Sequence, residues 1–377
     1  MKSPPPVLIQ PGRPSAASSG KTSPRWRSIL LNLSVGLGVS LAVLGAVEVT
    51  LRISGKVPTE QIRGASASEQ ARIPGPFAPG QRVLDRNKPA IAYTATINSL
   101  GFRVPEVALP RASGAFRILC LGDSYTFGAG VQDDQTWPWR LQEHLGREVR
   151  GTSIEVINGG VAGFTILDER LLLEEKISSI EPTGVILEFT GNDISDLSKP
   201  VPIRKQMQEH ARVKSQPIVG PLLVALQDTA IFNGLQMLLA RYEAQRGGHG
   251  AVPTIAPEAA LVDPAGEPLW ALYEEHLGAI RDLLASKQIP LLLVAFPSSA
   301  QIPAGAPAGG EARLATMANR LGVPFLDLLP TLREAAARGD KLYLLPADRH
   351  PAADAYAAAG GEIARYLRGH WLATEPH

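Results

Sequence analysis

The chain has 377 residues, 45% of them hydrophobic and 19% charged, with a formal net charge of +1. That length and apolar content suit one α/β domain with appendages, and the neutral balance excludes the clustered cationic face that nucleic-acid phosphates demand. A single cysteine, Cys120, excludes an intrachain disulfide, and seven histidines without a His-Glu-x-x-His spacing indicate neither a metal nor another cofactor.

Residues 1–27, rich in Pro, Ser and basic side chains, read as a disordered cytosolic tail. An uncharged run follows from Ser28 to Val47, within a span predicted over 28–53. At about 1.5 Å per residue, a helix over that run covers roughly 30 Å, the hydrocarbon thickness of a bilayer. Lys2, Arg13, Lys21, Arg25 and Arg27 precede it without an acidic residue. The positive-inside rule therefore keeps the N-terminus in the cytosol and sends the rest across. The alternative is a cleaved signal peptide, whose apolar core is usually shorter, about 7–15 residues. Ala65-Ser66-Ala67 resembles a cleavage site but stands far beyond the apolar run. On either reading the globular part is extracytoplasmic, as in a periplasm.

Residues 54–114 are punctuated by Pro and Gly without sustained periodicity, the pattern of a linker and lead-in. From 115 to 370 short apolar runs alternate with helical patterns. Strands are predicted at 116–121, Ile154–Asn158, Val185–Thr190, Pro290–Phe296 and Val323–Leu326. Helices are predicted at Thr136–Leu145, Ile166–Ile180, Leu269–Ser286, Glu311–Leu321 and Ala352–Leu367. Apolar strands joined by helical crossovers give a parallel sheet of about five strands with helices on both sides. Residues 199–267 break this rhythm with a basic amphipathic piece, an apolar helix pattern at Pro221–Tyr242 and a Gly/Pro-rich stretch. They read as an insertion after the third strand, either overhanging a site at the strand ends or decorating the surface.

Four fragments carry chemistry. Gly122-Asp123-Ser124 ends the first strand, Asn158-Gly159-Gly160 the second, Gly191-Asn192-Asp193 the third, and Asp348-Arg349-His350 precedes the last helix. Each has a structural reading as a capping turn, a turn glycine or a solvated loop. In a parallel sheet, however, ligands gather at the carboxyl ends of the strands, where all four converge. There Ser124 serves as nucleophile and His350 as base, with the N–H groups of Ser124 and Gly160 and the Asn192 amide around an oxyanion.

These four blocks resemble those of the SGNH hydrolases, also called GDSL esterases and lipases. Asn98-Ser99-Leu100-Gly101-Phe102-Arg103 is similar to a segment preceding the catalytic domain in membrane-anchored bacterial members. The resemblance implies a flavodoxin-like three-layer α/β/α sandwich and hydrolysis of carboxylic esters on lipids or carbohydrates. Tyr125 stands where the family name has leucine. Ala347 occupies the place three before His350 where the family's acid is expected, and Asp348, two before, takes the acid role if the loop is extended. An Asp-x-His pair also recurs in SGNH-like proteins that O-acetylate exopolysaccharides, so a sugar hydroxyl is the alternative acceptor to water. A non-catalytic glycan-binding module is a third reading. The expected partners are thus an ester substrate and a membrane, with no nucleic acid.

Overall fold

A computed structural model describes residues 25–54, 57, 62–85, 91–149, 151–198, 201–227, 229–245, 266–303, 305–306 and 310–372. Of the tail expected over 1–27, residues 1–24 lie outside the described residues, as does most of the Gly/Pro-rich stretch of the insertion, 246–265, while Arg25–Arg27, expected to be disordered, already belong to a helix. Two compact units are distinguished, Met1–Thr50 and Leu51–His377.

Helix α1 (Arg25–Ser54) makes up the described part of the first unit and ends in the second. Within Trp26–Ser54 an 18-residue window has a mean hydropathy of 2.1 and no part of it is buried, so the helix is long and apolar enough to cross a membrane. A helix apolar on every side has no polar face to turn toward water.

The second unit begins with a short helix α2 (Ala67–Gln70) and an antiparallel pair, β1 (Arg82–Asp85) and β2 (Tyr93–Thr96). The lead-in is therefore more ordered than its Pro/Gly punctuation predicts, and its Ala95, Ile97 and Phe102 are buried. Then come β3 (Phe116–Leu121), α3 (Ser124–Phe127), α4 (Trp137–Glu148), β4 (Ile154–Asn158), α5 (Ile166–Ile180), β5 (Gly184–Phe189) and α6 (Asn192–Asp196). The insertion folds as α7 (Ile203–Lys214), α8 (Val219–Gln227) and α9 (Ala230–Gln245). The chain closes with α10 (Glu267–Ser286), β6 (Leu291–Ala295), α11 (Glu311–Leu321), β7 (Phe325–Asp327), α12 (Leu329–Ala337) and α13 (Ala353–His370).

The five-stranded sheet has the order β4-β3-β5-β6-β7, all pairs parallel. Counted along the chain this is 2-1-3-4-5, the flavodoxin-like doubly wound order. The strands read as unbroken apolar runs because both faces are covered. Leu119 and Leu121 of β3 face a core with α5, α10 and α11, through Ile177, Leu277 and Leu314. Ile118 and Cys120, offset by one residue, face the opposite core with α4, α12 and α13, through Leu141, Leu332 and Ile363. Cys120 is a fully buried packing residue whose thiol is pushed up by burial. The result is a three-layer α/β/α sandwich. Its switch point lies between β3, flanked by β4, and β5, so the loops after these strands meet at one crevice.

Candidate active site

Strand β3 ends at Leu121, and the backbone turns through Gly122 and Asp123 into α3, which begins at Ser124. A Cβ at Gly122 would stand 2.2 Å from Thr126 Oγ1 and 2.5 Å from Glu188 Oε2, so only glycine fits the turn. Asp123 caps α3, its Oδ1 accepting the Tyr125 N–H at 2.8 Å. Its Oδ2 accepts the Asn192 amide at 3.0 Å, which ties the loop after β5 to the loop after β3. Burial raises the pKa of Asp123, against the hydrogen bonds from Asn192 and Tyr125.

His350 stands opposite. Its Nε2 lies 2.9 Å from Ser124 Oγ and its Nδ1 2.6 Å from Asp348 Oδ1. The same Asp348 oxygen accepts the His350 backbone N–H at 2.9 Å. The contact is thus closed by a tight Asx-type turn, whereas an extended segment was expected to bring the two side chains to one side. Leu344 holds the loop at both ends, donating its N–H to the His350 carbonyl and accepting the Asp348 N–H, each at 3.0 Å. Asp348 is buried and His350 half-buried.

The three expected oxyanion donors stand just past the ends of β3, β4 and β5. Among the described residues no hydrogen bond uses the Ser124 N–H, which lies at the first position of α3. Asn192 gives one amide hydrogen to Asp123, and its Oδ1 accepts the Thr190 hydroxyl at 2.7 Å, which orients the side chain. The Gly160 N–H is given to Asn158 Oδ1 at 3.0 Å, so in this state it is engaged within its own turn. A Cβ at Gly160 would stand 2.2 Å from the Phe127 backbone nitrogen; the loop after β4 can lie against α3 only without a side chain there. Asp193, read as a turn residue, accepts the Thr190 N–H at 3.0 Å.

Two residues of the site were named from sequence without being given a role there. The Tyr125 ring packs against the His350 imidazole, 5.7 Å between centroids, and against Phe296 at 5.4 Å, edge to face. Its hydroxyl reaches the Arg349 carbonyl at 3.4 Å. Arg103, the last residue of the Asn-Ser-Leu-Gly-Phe-Arg segment, donates to the carbonyls of Phe127, Gly128, Thr94 and Val131 and pairs with Asp133 at 2.9 Å. It holds the far end of the helix that carries Ser124. Tyr125 had its departure from the family's leucine beside Ser124 as a signal; Arg103 had the motif. Among the described residues no group of three or more His, Cys, Asp and Glu is arranged to hold a metal ion.

A strand-to-helix serine at a flavodoxin-like switch point, with an imidazole and a carboxylate in line, places this chain among α/β proteins of the serine-hydrolase type. The chain belongs to the GDSL-like lipase/acylhydrolase family, whose model matches residues 120–358. It is similar to Esterase TesA of Pseudomonas aeruginosa, 26% identical over 121 residues, which cover 32% of this chain and 59% of that protein. The match thus spans about three fifths of the curated relative's length. Among solved structures, a two-domain esterase active on acetylated mannans is 18% identical, with a TM-score of 0.42 over 70% of this chain and 51% of that one. The acetyl xylan esterase AlAXEase is 16% identical, with a TM-score of 0.40 over 67% of this chain and 100% of that one.

Proposed function

We propose that this chain is a serine-dependent carboxylic ester hydrolase acting on an acylated carbohydrate or lipid. The observation that carries the reading is the continuous relay from Asp348 through His350 to Ser124, with contacts of 2.6 Å and 2.9 Å. Asp348 accepts the Nδ1 proton, which leaves Nε2 as the basic nitrogen facing the serine. Nε2 takes the hydroxyl proton as Oγ attacks the ester carbonyl, and the resulting imidazolium is stabilised by Asp348. The negative charge on the former carbonyl oxygen is met by the Ser124 N–H and the second amide hydrogen of Asn192. The Gly160 N–H joins them by sharing between Asn158 and the oxyanion. His350 returns its proton to the leaving alcohol. Water, deprotonated by the same nitrogen, then cleaves the acyl-serine to free acid and restores the hydroxyl.

The membrane part of the reading is supported by α1 and by the five basic and no acidic residues before Ser28. It makes the chain single-pass, N-terminus cytosolic, with the Ser124 unit outside the cytoplasm. A mature N-terminus sequenced downstream of Val47 would convert the anchor into a cleaved leader.

The test is turnover of p-nitrophenyl esters by the full chain in lipid nanodiscs, beside Ser124→Ala. Wild type is expected to release nitrophenol and free acid together, and the variant neither. Equal signal from both proteins removes the serine from the mechanism. Donor consumption only when a glycan is present, without free acid, makes the acceptor a sugar hydroxyl and the protein an O-acyltransferase.

A further inference from the structure

Among the described residues of the second unit, the large apolar side chains left exposed gather in the insertion. Val219, Leu222 and Leu226 recur three and four residues apart, which makes one stripe along α8. Leu235, Leu238 and Leu239 make a second stripe along α9. These six are between 44% and 63% exposed, whereas α5, α10 and α11 turn Ile177, Leu277 and Leu314 into the core. Apolar surface concentrated in one region in this way marks a contact with something other than water.

The outward direction of both stripes is built in. Helix α7 is fastened to α5 by Arg204, whose N–H reaches Asp168 Oδ1 and whose guanidinium pairs with Glu175, each at 2.6 Å. A Cβ at Gly220 would stand 1.9 Å from the Lys214 carbonyl oxygen, so α8 starts hard against the end of α7. Gly220 lies off the stripe of Val219, Leu222 and Leu226, which therefore faces away from that contact. Asn233 ties α9 to the end of α8, its amide reaching the Gln227 and Thr229 carbonyls at 3.0 Å each. Ala230 and Asn233, on the other side of α9 from its leucines, are buried.

The occupant is indicated by Gly234, at the edge of the α9 stripe. A Cβ there would stand 3.5 Å from Val57 and 4.0 Å from Leu51. Leu51 is the first residue of the second unit and belongs to the last turn of α1. It follows Val47, the end of the uncharged run, by four residues, about 6 Å along a helix. If α1 spans a bilayer, the flank of α9 thus stands about one helical turn from the hydrocarbon boundary. Basic side chains border the apolar face: Arg52 follows Leu51, and Arg212 and Lys214 lie in the last turn of α7, directly before α8. No acidic residue occurs between Ala211 and Gln227. An apolar face with a cationic border suits the surface of a bilayer that carries anionic phospholipid. A second copy or another folded protein would have to reach α9 within the headgroup layer.

We infer that α8 and α9 form a membrane-docking surface, whose leucine stripes enter the headgroup layer of the bilayer that α1 crosses. The inference rests on the membrane part of the reading above and adds a second attachment to it. The test places a bimane label on the full chain through Leu222→Cys, Leu238→Cys, Leu41→Cys in α1, or Lys287→Cys just past α10. Cys120 is fully buried and stays unlabelled. The proteins are reconstituted in phosphatidylcholine–phosphatidylglycerol vesicles with a doxyl quencher near the headgroup or deep in the acyl chain. The labels at 222 and 238 are expected to lose about half or more of their fluorescence to the shallow quencher, since interfacial helices seat roughly 5–10 Å into that layer. The label at 287 is expected to stay bright. Should a labelled protein misfold, Leu226→Cys and Leu235→Cys replace these positions on the same stripes. Labels at 222 and 238 as bright as the one at 287 overturn the inference; quenching at 41 by the deep probe then leaves the anchor standing. Crosslinking between copies through Leu238→Cys without quenching also overturns it and assigns the face to a second copy. If the label at 41 is not quenched, the anchor reading falls. Quenching at 222 and 238 in that case supports docking by the insertion alone, and its absence removes both readings.

Discussion

At the scale of single residues, the arrangement around Asp348 makes a distinctive demand. One carboxylate oxygen accepts both the His350 backbone N–H and the imidazole Nδ1 proton. In Asp348→Asn the amide oxygen still accepts both, because the backbone N–H rejects the NH₂ end. The tautomer is therefore retained and only the charge opposite the imidazolium is lost. We expect kcat to fall by about 1.5–3 kcal/mol of transition-state stabilisation, roughly one to two orders of magnitude, and Asp348→Ala to fall further. Steady-state kinetics on the two variants checks the order; equal rates would mean that another group orients the imidazole. Asn192→Ala removes a proposed oxyanion donor and is expected to cost about 3 kcal/mol, roughly a hundredfold in kcat with little change in KM. A normal rate removes Asn192 from the hole.

At the scale of elements, α3 is a helix of four residues and cannot hold its own position; its neighbours hold it. Arg103 supplies much of that support, meeting four carbonyls and Asp133 from a side chain that is 1% exposed. Arg103→Met is expected to destabilise the second unit by about 3 kcal/mol or more in urea unfolding, with a parallel loss of turnover. Arg103→Lys should recover only part of it, since an ammonium cannot span the planar fan of acceptors. Full recovery would show that charge alone matters there. The same scale explains where periodicity misled. The helix expected over Pro221–Tyr242 is two helices, α8 and α9, because the Thr229 hydroxyl accepts the Phe232 N–H and starts a new helix. Helix α12 lies between the last expected strand and helix and was not anticipated. The two strands of the lead-in are four residues each, too short for an alternating pattern to register.

At the scale of the whole molecule, the site is backed by buried acids. Glu188 on β5, Glu169 on α5 and Asp193 on α6 are 1%, 2% and 3% exposed. Among the described residues, Glu188 Oε1, Glu169 Oε1 and Asp193 Oδ1 have no hydrogen-bond partner. Desolvation, reinforced by the neighbouring carboxyls, holds all three well above the usual carboxylate range. Each therefore keeps its proton to higher pH in the fold than in the unfolded chain. Their stabilising contribution is complete below the ordinary carboxylate pKa, about 4, and is lost as pH rises through the raised values. Thermal melts of the full chain should show Tm falling from mildly acidic to alkaline pH. Glu188→Gln, neutral at every pH, should flatten part of that slope; an identical slope in the variant would mean that Glu188 is already charged in the fold.

The sequence alone determined the alternation that winds the sheet, the apolar helix at the N-terminus and the chain order of the four fragments that reach the strand ends. These depend on local propensity, on periodicity and on glycines that a turn requires, all carried by near neighbours along the chain. Only the tertiary structure decided that the imidazole faces a serine 226 positions away, that Asp348 reaches it through a turn, and that Arg103 braces α3. It likewise decided that the lead-in and α7 enclose one cavity. Those contacts arise from packing between segments far apart in the chain, where each side chain's position is set by partners that no local pattern records.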